Sequence, residues 1–415
     1  MTDRSLVIVG AAHAGVELAF TARQHGWPGP IVLLGEESEP PYQRPPLSKA
    51  YLDGETVADE LILRTASAYG EAGIAIRLGI KATRIDRAGR TLELSDGSRQ
   101  AYDKLALCTG GRPRPLTVEG MVAGKPPANL HYLRTRQDAD HIRSKLTAGT
   151  RLAIVGGGYI GLEIASTARR LGAIVTLLEA EQRVLARVTG SEMSAFYQRV
   201  HQEAGVDIRT GTTAEKIECD DTGIIQAVTV RGGVQIPAEL VIVGIGMLPN
   251  IELAADAGLT VDGGIIVDEL SRTSDPDIVA AGDCTAHDNA AYGRRIRLES
   301  VPNALEQARA AALALCGKPK PNRSIPWFWS DQFDLKLQMV GLSAGHEQCV
   351  LRGSPADHSF IAFYLRDGRL IAADAVNRQA DFLAAKRLVT TAAAIDPTRL
   401  ADVSIPLKDL LLQNQ

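Results

Sequence analysis

The chain has 415 residues, 45% hydrophobic and 23% charged, with a formal net charge of −4. That length and balance suit a folded protein of roughly two or three domains. No run approaches the roughly 18 apolar residues of a membrane span, and an acidic balance without a long basic run argues against nucleic-acid binding. Five cysteines, at positions 108, 219, 284, 316 and 349, form no CxxC and no paired spacing. They point to a reducing compartment, and away from a zinc site or a dithiol centre. The eight histidines show no HxxxH or HxH spacing, so no metal is expected. The N-terminal MTDRSLVIVG enters a strand at once and leaves no room for a signal peptide, so the expected location is the cytoplasm.

In chain order, the first pattern is LVIVGAAHAGVELAF (6–20), followed by an apolar strand at 31–34 and the acid Glu36. Strand, glycine turn, helix, strand, acid is the dinucleotide-binding βαβ fingerprint, although its second glycine is here Ala12. DKLALCTGGRPR (103–114) then reads as a strand leaving into a Gly/Pro turn, and residues 110–127, rich in both, lead onward. The central stretch RLAIVGGGYIGLEIASTARRLGAIVTLLE (151–179) repeats the plan in full. Gly156 makes the tight turn, Gly158 lets backbone approach a pyrophosphate, and Gly161 lets helix pack on strand. The phosphates would meet free N–H groups at the helix start, and Glu179 would accept from both hydroxyls of an adenosine ribose. Ile160, Ile164, Ala168 and Leu171 are expected on one helix face.

The duplication extends further, since AELVIVGIGMLPN (238–250) parallels the 103–114 segment. Two short strands follow in DGGIIVDELSRTSDPDIVAAGDC (262–284), ending at Gly282-Asp283, and the chain is expected to return there to the first unit. After the linker GKPKPNRSIP (317–326) the period changes to two. Phe333, Leu335, Leu337 and Met339 alternate with polar residues, and Asp367-Gly368 reads as a hairpin turn. A helix over residues 379–393 is expected to bury Phe382, Ala385 and Val389. The fold class is therefore α/β: two Rossmann-like dinucleotide-binding domains plus a C-terminal α+β domain. The expected boundaries are 1–110 with 249–318, then 111–248, then 319–415.

The segments PPYQRPPLSKAYL (40–52), CTGGRPR, GGGYIGLE, TSDPDIVAAGDC, ESVPNALEQA (299–308) and PWFWSDQFDLKLQ (326–338) carry a resemblance. Across nearly the whole chain, and in matching order, they resemble the FAD-dependent NADH:ferredoxin reductases of the putidaredoxin reductase type. These serve cytochrome P450 and aromatic-ring oxygenase systems. The resemblance implies a glutathione-reductase-like fold, FAD held non-covalently, NADH as co-substrate and a [2Fe–2S] ferredoxin as partner. Ala12, where relatives usually carry Gly, and Cys108, where Ala is usual, are departures. Carried over residue by residue, the FAD site comprises Gly10, Ala14, Gly15 and Glu36, with Ala82 placing backbone at the adenine. Arg44 and Lys49 fall on the phosphate side, Arg134 reaches the cofactor, Asp283 takes a ribityl hydroxyl or the pyrophosphate region, and Val301 presents backbone to the ring. Gly156, Gly158, Gly161 and Glu179 take NADH.

The residue chemistry agrees for several of these: Arg44 and Lys49 are cations suited to a dianionic pyrophosphate, and Asp283 doubles as a helix-cap candidate. Glu163 has two readings, as an acid favourable to its helix dipole or as a partner of Lys49 near the flavin. No nucleophile–His–acid constellation is present, as hydride chemistry borne by a cofactor would allow. A disulfide reductase would need a dithiol between residues 35 and 52, which has none, and Cys108 and Cys284 read as packing residues. A DNA-binding protein resembling the apoptosis-inducing flavoproteins would need basic stretches that are absent. Arg183 is a nearby arginine that could accommodate the extra phosphate of NADPH. For electron exit, Trp327 and Trp329 in PWFWS are read as pointing to opposite sides of an extended segment, with Trp329 outward. Arg309, Lys336, Lys386, Arg387 and Lys408 would then suit an acidic ferredoxin.

Overall fold

The strand Leu6–Val9 is buried on both faces, with Leu6 and Ile8 in one apolar cluster and Val7 and Val9 in another. A run without polar alternation is what a central parallel strand requires. In the computed structural model, which describes residues 4–121 and 125–412, it lies at the middle of a five-stranded parallel sheet. The order is Ile278–Ala280, Lys104–Leu107, Leu6–Val9, Ile31–Leu34, Ile74–Arg77. Ile278 pairs with Leu105, so the late segment does rejoin the first sheet. Helices His13–Gln24 and Val301–Leu315 pack together through Ala14, Ala19, Ala22, Ala304, Ala308 and Ala311, whose small side chains let the two backbones approach closely. Part of the 110–127 linker, residues 122–124, lies outside the described residues.

Two compact units account for the chain: 1–43 with 58–112 and 247–326, and 44–57 with 113–246 and 327–415. The second has its own five-stranded parallel sheet, in the order Asp207–Arg209, Ile174–Leu178, Arg151–Val155, Leu240–Val243, Leu130–Tyr132. It also holds an antiparallel sheet, Trp327–Gln332, Leu335–Gly341, Arg369–Val376, Ser359–Arg366, Gln348–Ser354. Leu335, Leu337 and Met339 point into the core shared with Ile164 and Leu162 of the helix Tyr159–Arg170. Asp367 and Gly368 turn the hairpin with φ of 51° and 68°, the left-handed pair a two-residue turn demands.

Three expectations need correction here. The last long helix is Gln379–Thr390, three residues shorter than expected, and it buries Leu388 as well as Phe382, Ala385 and Val389. Ile160 is 44% exposed while Ile164 and Ala168 are buried, because Ile160 sits in the first helical turn beside the open space at Gly158. Trp327 and Trp329 lie on the same side of their strand, not on opposite sides: their rings are 5.7 Å apart. Alternation along a strand has period two, so residues two apart share a face. The other face carries Phe328, 5.0 Å from the Tyr159 ring, together with Ser330 and Gln332. Both tryptophans are half-buried.

One buried acid ties the second unit's elements together. Thr189 donates to the Asp374 carboxylate, as does the Tyr364 hydroxyl at 2.9 Å. Burial pushes this carboxyl up to about 6, while the two hydroxyl donors and His346 pull the other way. A folded-state value above the ordinary 3.8 means that the folded protein binds this proton more tightly than the unfolded chain. The contribution is therefore present at low pH and lost as pH rises through about 6. Relative to Asp374→Asn, the wild type should gain about 2–3 kcal/mol of stability between roughly pH 7 and roughly pH 4. Denaturant unfolding of both proteins at the two pH values measures this, and a difference that does not move with pH would contradict it.

Candidate dinucleotide sites

In the first unit, Gly10 has φ of +111°, and a Cβ there would lie 2.1 Å from the Cys108 carbonyl oxygen. A Cβ on Gly15 would lie 2.0 Å from the oxygen of Gly10, so both positions admit only glycine. Ala12, extended at φ −124°, is the helix N-cap and supplies no side-chain cap, so the helix start is left for other acceptors. Gly282, at φ +90°, faces Ala14 and Ala304, and a Cβ there would come within 3.4 Å and 3.7 Å of theirs. The Gly282 turn thus meets the first turns of both helices, at Ala14 and Ala304, while Asp283 follows Gly282 in sequence and Val301 opens the second helix. Gln307 organises this turn, accepting from the Gly282 amide at 2.9 Å and the Thr285 hydroxyl at 2.8 Å. Sequence reading passed over Gln307, although it stands inside ESVPNALEQA. Glu36 is exposed and forms an ion pair with Lys81 at 2.9 Å, and buried Ala82 opens the strand Ala82–Asp86.

The second unit holds the other glycine turn. Gly156 has φ of +114° and would clash with the Gly244 carbonyl at 2.4 Å, and Gly161 with that of Gly156 at 2.1 Å. A Cβ on Gly158 would meet open space, which is where a phosphate can come close to backbone. Glu179 is held from two sides, by the Gly157 amide at 2.6 Å and the Glu181 amide at 2.8 Å. A Cβ on Gly157 would stand 2.9 Å from the Glu179 carboxylate, so a side chain there would push this acid out of its present place. Arg183 is turned away from this acid's role: it donates to the Thr189, Gly190 and Ala186 carbonyls and to the Ser194 hydroxyl.

Residues 44–57 dock on the same unit. Arg44 donates to the Arg134 carbonyl at 2.7 Å, and Thr167 donates to the Ser48 carbonyl at 2.9 Å. The turn Pro45–Ser48 aims Lys49 at Glu163, giving an ion pair of 2.8 Å, with a second Lys49 bond to the Pro45 carbonyl at 3.0 Å. Glu163 is only 2% exposed and lies beyond the first helical turn. Of its two readings the ion pair with Lys49 is present, whereas the helix-dipole reading needed a place in the first turn, within which such an effect fades. Ser48 and Ser330, which sequence reading missed, also donate to this carboxylate. Ser330 has no sequence signature, since it reaches Glu163 from 167 residues away.

Burial pushes the Cys108 and Cys284 thiols up, which leaves both protonated and unreactive as nucleophiles. Both belong to apolar clusters.

Comparison with known proteins places the chain. The pyridine nucleotide-disulphide oxidoreductase family matches residues 4–308, and the reductase C-terminal family matches residues 327–411. The chain is 49% identical over 408 residues to putidaredoxin reductase CamA of Pseudomonas putida, covering 98% of this chain and 96% of that one. It is 42% identical to the ferredoxin–NAD(+) reductase component of the anthranilate 1,2-dioxygenase system of Burkholderia cepacia, covering 99% and 100%. Among solved structures, that of the covalent putidaredoxin reductase–putidaredoxin complex aligns with a TM-score of 0.96 at 48% identity, covering 100% of this chain and 99% of the other. No helix among the described residues is long and apolar enough to cross a membrane. The chain belongs to the pyridine nucleotide-disulphide oxidoreductases, within the FAD- and NADH-using ferredoxin reductases of the putidaredoxin reductase type.

Proposed function

We propose that this protein passes electrons from NADH, by way of non-covalently bound FAD, to a [2Fe–2S] ferredoxin serving a cytochrome P450 or an aromatic-ring oxygenase. The observation that carries this reading is the pair of glycine cradles in one chain, each closed by backbone contacts that leave no room for a Cβ. The first cradle fits FAD. A cap-free helix start suits its pyrophosphate, and Asp283 stands at a strand end where polyol hydroxyls can be held. We assign Gly10, Ala14, Gly15, Glu36, Ala82, Asp283 and Val301 to FAD, together with Arg44, Lys49 and Arg134. Gly156, Gly158, Gly161 and Glu179 are assigned to NADH. FAD supplies, when bound, the change from two-electron to one-electron chemistry. The protein's part is to bind and orient: Glu163 fixes the Lys49 ammonium, the glycine turns bring backbone N–H groups to phosphate, and protonated Cys108 and Cys284 offer no competing thiolate.

Three domains are proposed on this basis: 1–110 with 249–318 for FAD, 111–248 for NADH, and 319–415 for the partner. Five free cysteines support a cytoplasmic location. The test is stopped-flow mixing with NADH, then cytochrome c reduction with and without an added [2Fe–2S] ferredoxin. The expected result is rapid bleaching of the flavin followed by cytochrome c reduction that requires the ferredoxin. Turnover of a disulfide substrate with no response to ferredoxin would overturn it.

A further inference from the structure

Glu163 is an acceptor-only group enclosed in protein, so each of its oxygens needs a donor. Its Oε2 receives Lys49 at 2.8 Å and Ser48 at 2.5 Å. Its Oε1 receives the Ser330 hydroxyl at 2.6 Å. Ser330 is fully buried on the inner face of the strand Trp327–Gln332 and does not stand alone. Gln332 donates from Nε2 to the Ser330 oxygen at 3.1 Å, and its Oε1 lies 2.9 Å from His201 Nε2.

The chain of bonds has one direction. Burial pushes His201 down to about 4, so the ring is neutral and carries one N–H. A proton on Nδ1 would have no partner, whereas on Nε2 it bonds to Gln332. That sets the Gln332 amide with its oxygen toward His201 and its nitrogen toward Ser330. The Ser330 oxygen is then occupied as an acceptor, and its own proton is left to point at Glu163. Reversing the sequence would aim an oxygen lone pair at a carboxylate oxygen inside the core, where nothing screens the repulsion. Among the described residues, the other titratable groups close enough to feel Glu163 are the phenols of Tyr159 and Tyr197, both kept neutral by burial.

We infer that Ser330, oriented by Gln332 and His201, is a positioning residue for hydride transfer, holding the Glu163 carboxylate in the one rotamer that fixes Lys49. The inference rests on the function proposed above and deepens it, because it links the partner-side sheet to the flavin-side lysine. Losing the Ser330 hydroxyl frees Oε1. The carboxylate can then turn, and Lys49 keeps only the Pro45 carbonyl as a fixed partner.

The experiment uses the FAD-loaded full chain. Ser330→Ala should lower the limiting rate of flavin reduction by NADH roughly tenfold, the scale of a hydrogen bond to a charged group, with the Kd for NADH unchanged. The midpoint potential of the bound FAD should move to a more negative value, because a loosened ammonium favours the reduced ring less. Ser330→Thr, which keeps the hydroxyl, should recover most of both. Gln332→Met serves if Ser330→Ala does not fold, and should show the same signature at smaller size. Unchanged limiting rate and potential in a folded, FAD-loaded Ser330→Ala or Gln332→Met would overturn the inference while leaving the function standing. Failure of the wild type itself to be reduced by NADH would instead overturn the function on which the inference rests.

Discussion

NADPH should be the poorer hydride donor, by roughly a hundredfold in kcat/KM. The extra phosphate of NADPH would sit at the ribose position that Glu179 is assigned to hold, one anion against another. A flexible glutamate could swing aside at little cost, but this one is tied to the amides of Gly157 and Glu181. Among the described residues Glu179 has no ion-pair partner that could be turned to the phosphate. Arg183 lies four residues on, yet its guanidinium is spent on three carbonyls and the Ser194 hydroxyl. Arg209, on the neighbouring strand, is paired with Asp207 at 2.9 Å. Steady-state turnover with ferricyanide, comparing the two nucleotides, gives the ratio directly. Glu179→Ala should narrow it to within about tenfold by removing the repulsion. Equal kcat/KM in the wild type would mean that Arg183 leaves its carbonyls, and the argument would fail.

What could be read from the sequence follows from how local each constraint is. Gly10, Gly15, Gly156 and Gly161 are forced by backbone oxygens about 2 Å from any Cβ, so they stand out in any protein that needs this turn. The acids Glu36 and Glu179 follow after one helix and one strand, so their place in the pattern is set locally. Contacts made across long sequence separations were harder to read. The Lys49–Glu163 pair spans 114 residues and was legible only through the resemblance, and Ser330 and Gln332 were not legible at all. The confinement of Arg183 depends on where the loop at 186–190 places its carbonyls, and carbonyls have no sequence signature. The error at Trp327 and Trp329 was one of strand phase: a spacing of two keeps residues on one face, so Phe328 and Ser330 point inward together and the tryptophans point the other way.

That corrected phase sharpens the last expectation. Trp327, Trp329, Asp331, Lys336 and Gln338 share one face of the antiparallel sheet, since Trp329 pairs with Gln338 and Asp331 with Lys336. Trp327 packs against the helix Gln379–Thr390. Phe382 lies 6.4 Å from its ring, and the Lys386 ammonium stands 4.8 Å over it. Trp329 has Trp327 and Phe328 as ring neighbours, and it remains the tryptophan expected to face a partner. The cations earlier grouped around this surface do not contribute alike. Arg309 forms ion pairs with Glu17 and Glu306, so its charge is already balanced, whereas Lys386 belongs to the tryptophan face itself. A half-buried Trp beside a lysine is the composition of an interface hot spot for an acidic partner, whose truncation costs about 2 kcal/mol or more. Trp329→Ala should therefore slow ferredoxin reduction roughly thirtyfold while NADH-to-ferricyanide activity stays near normal. Lys386→Ala should flatten the decline of ferredoxin turnover with added salt. A parallel fall of both activities in Trp329→Ala would make it a packing residue, and no fall in either would place electron exit at another surface.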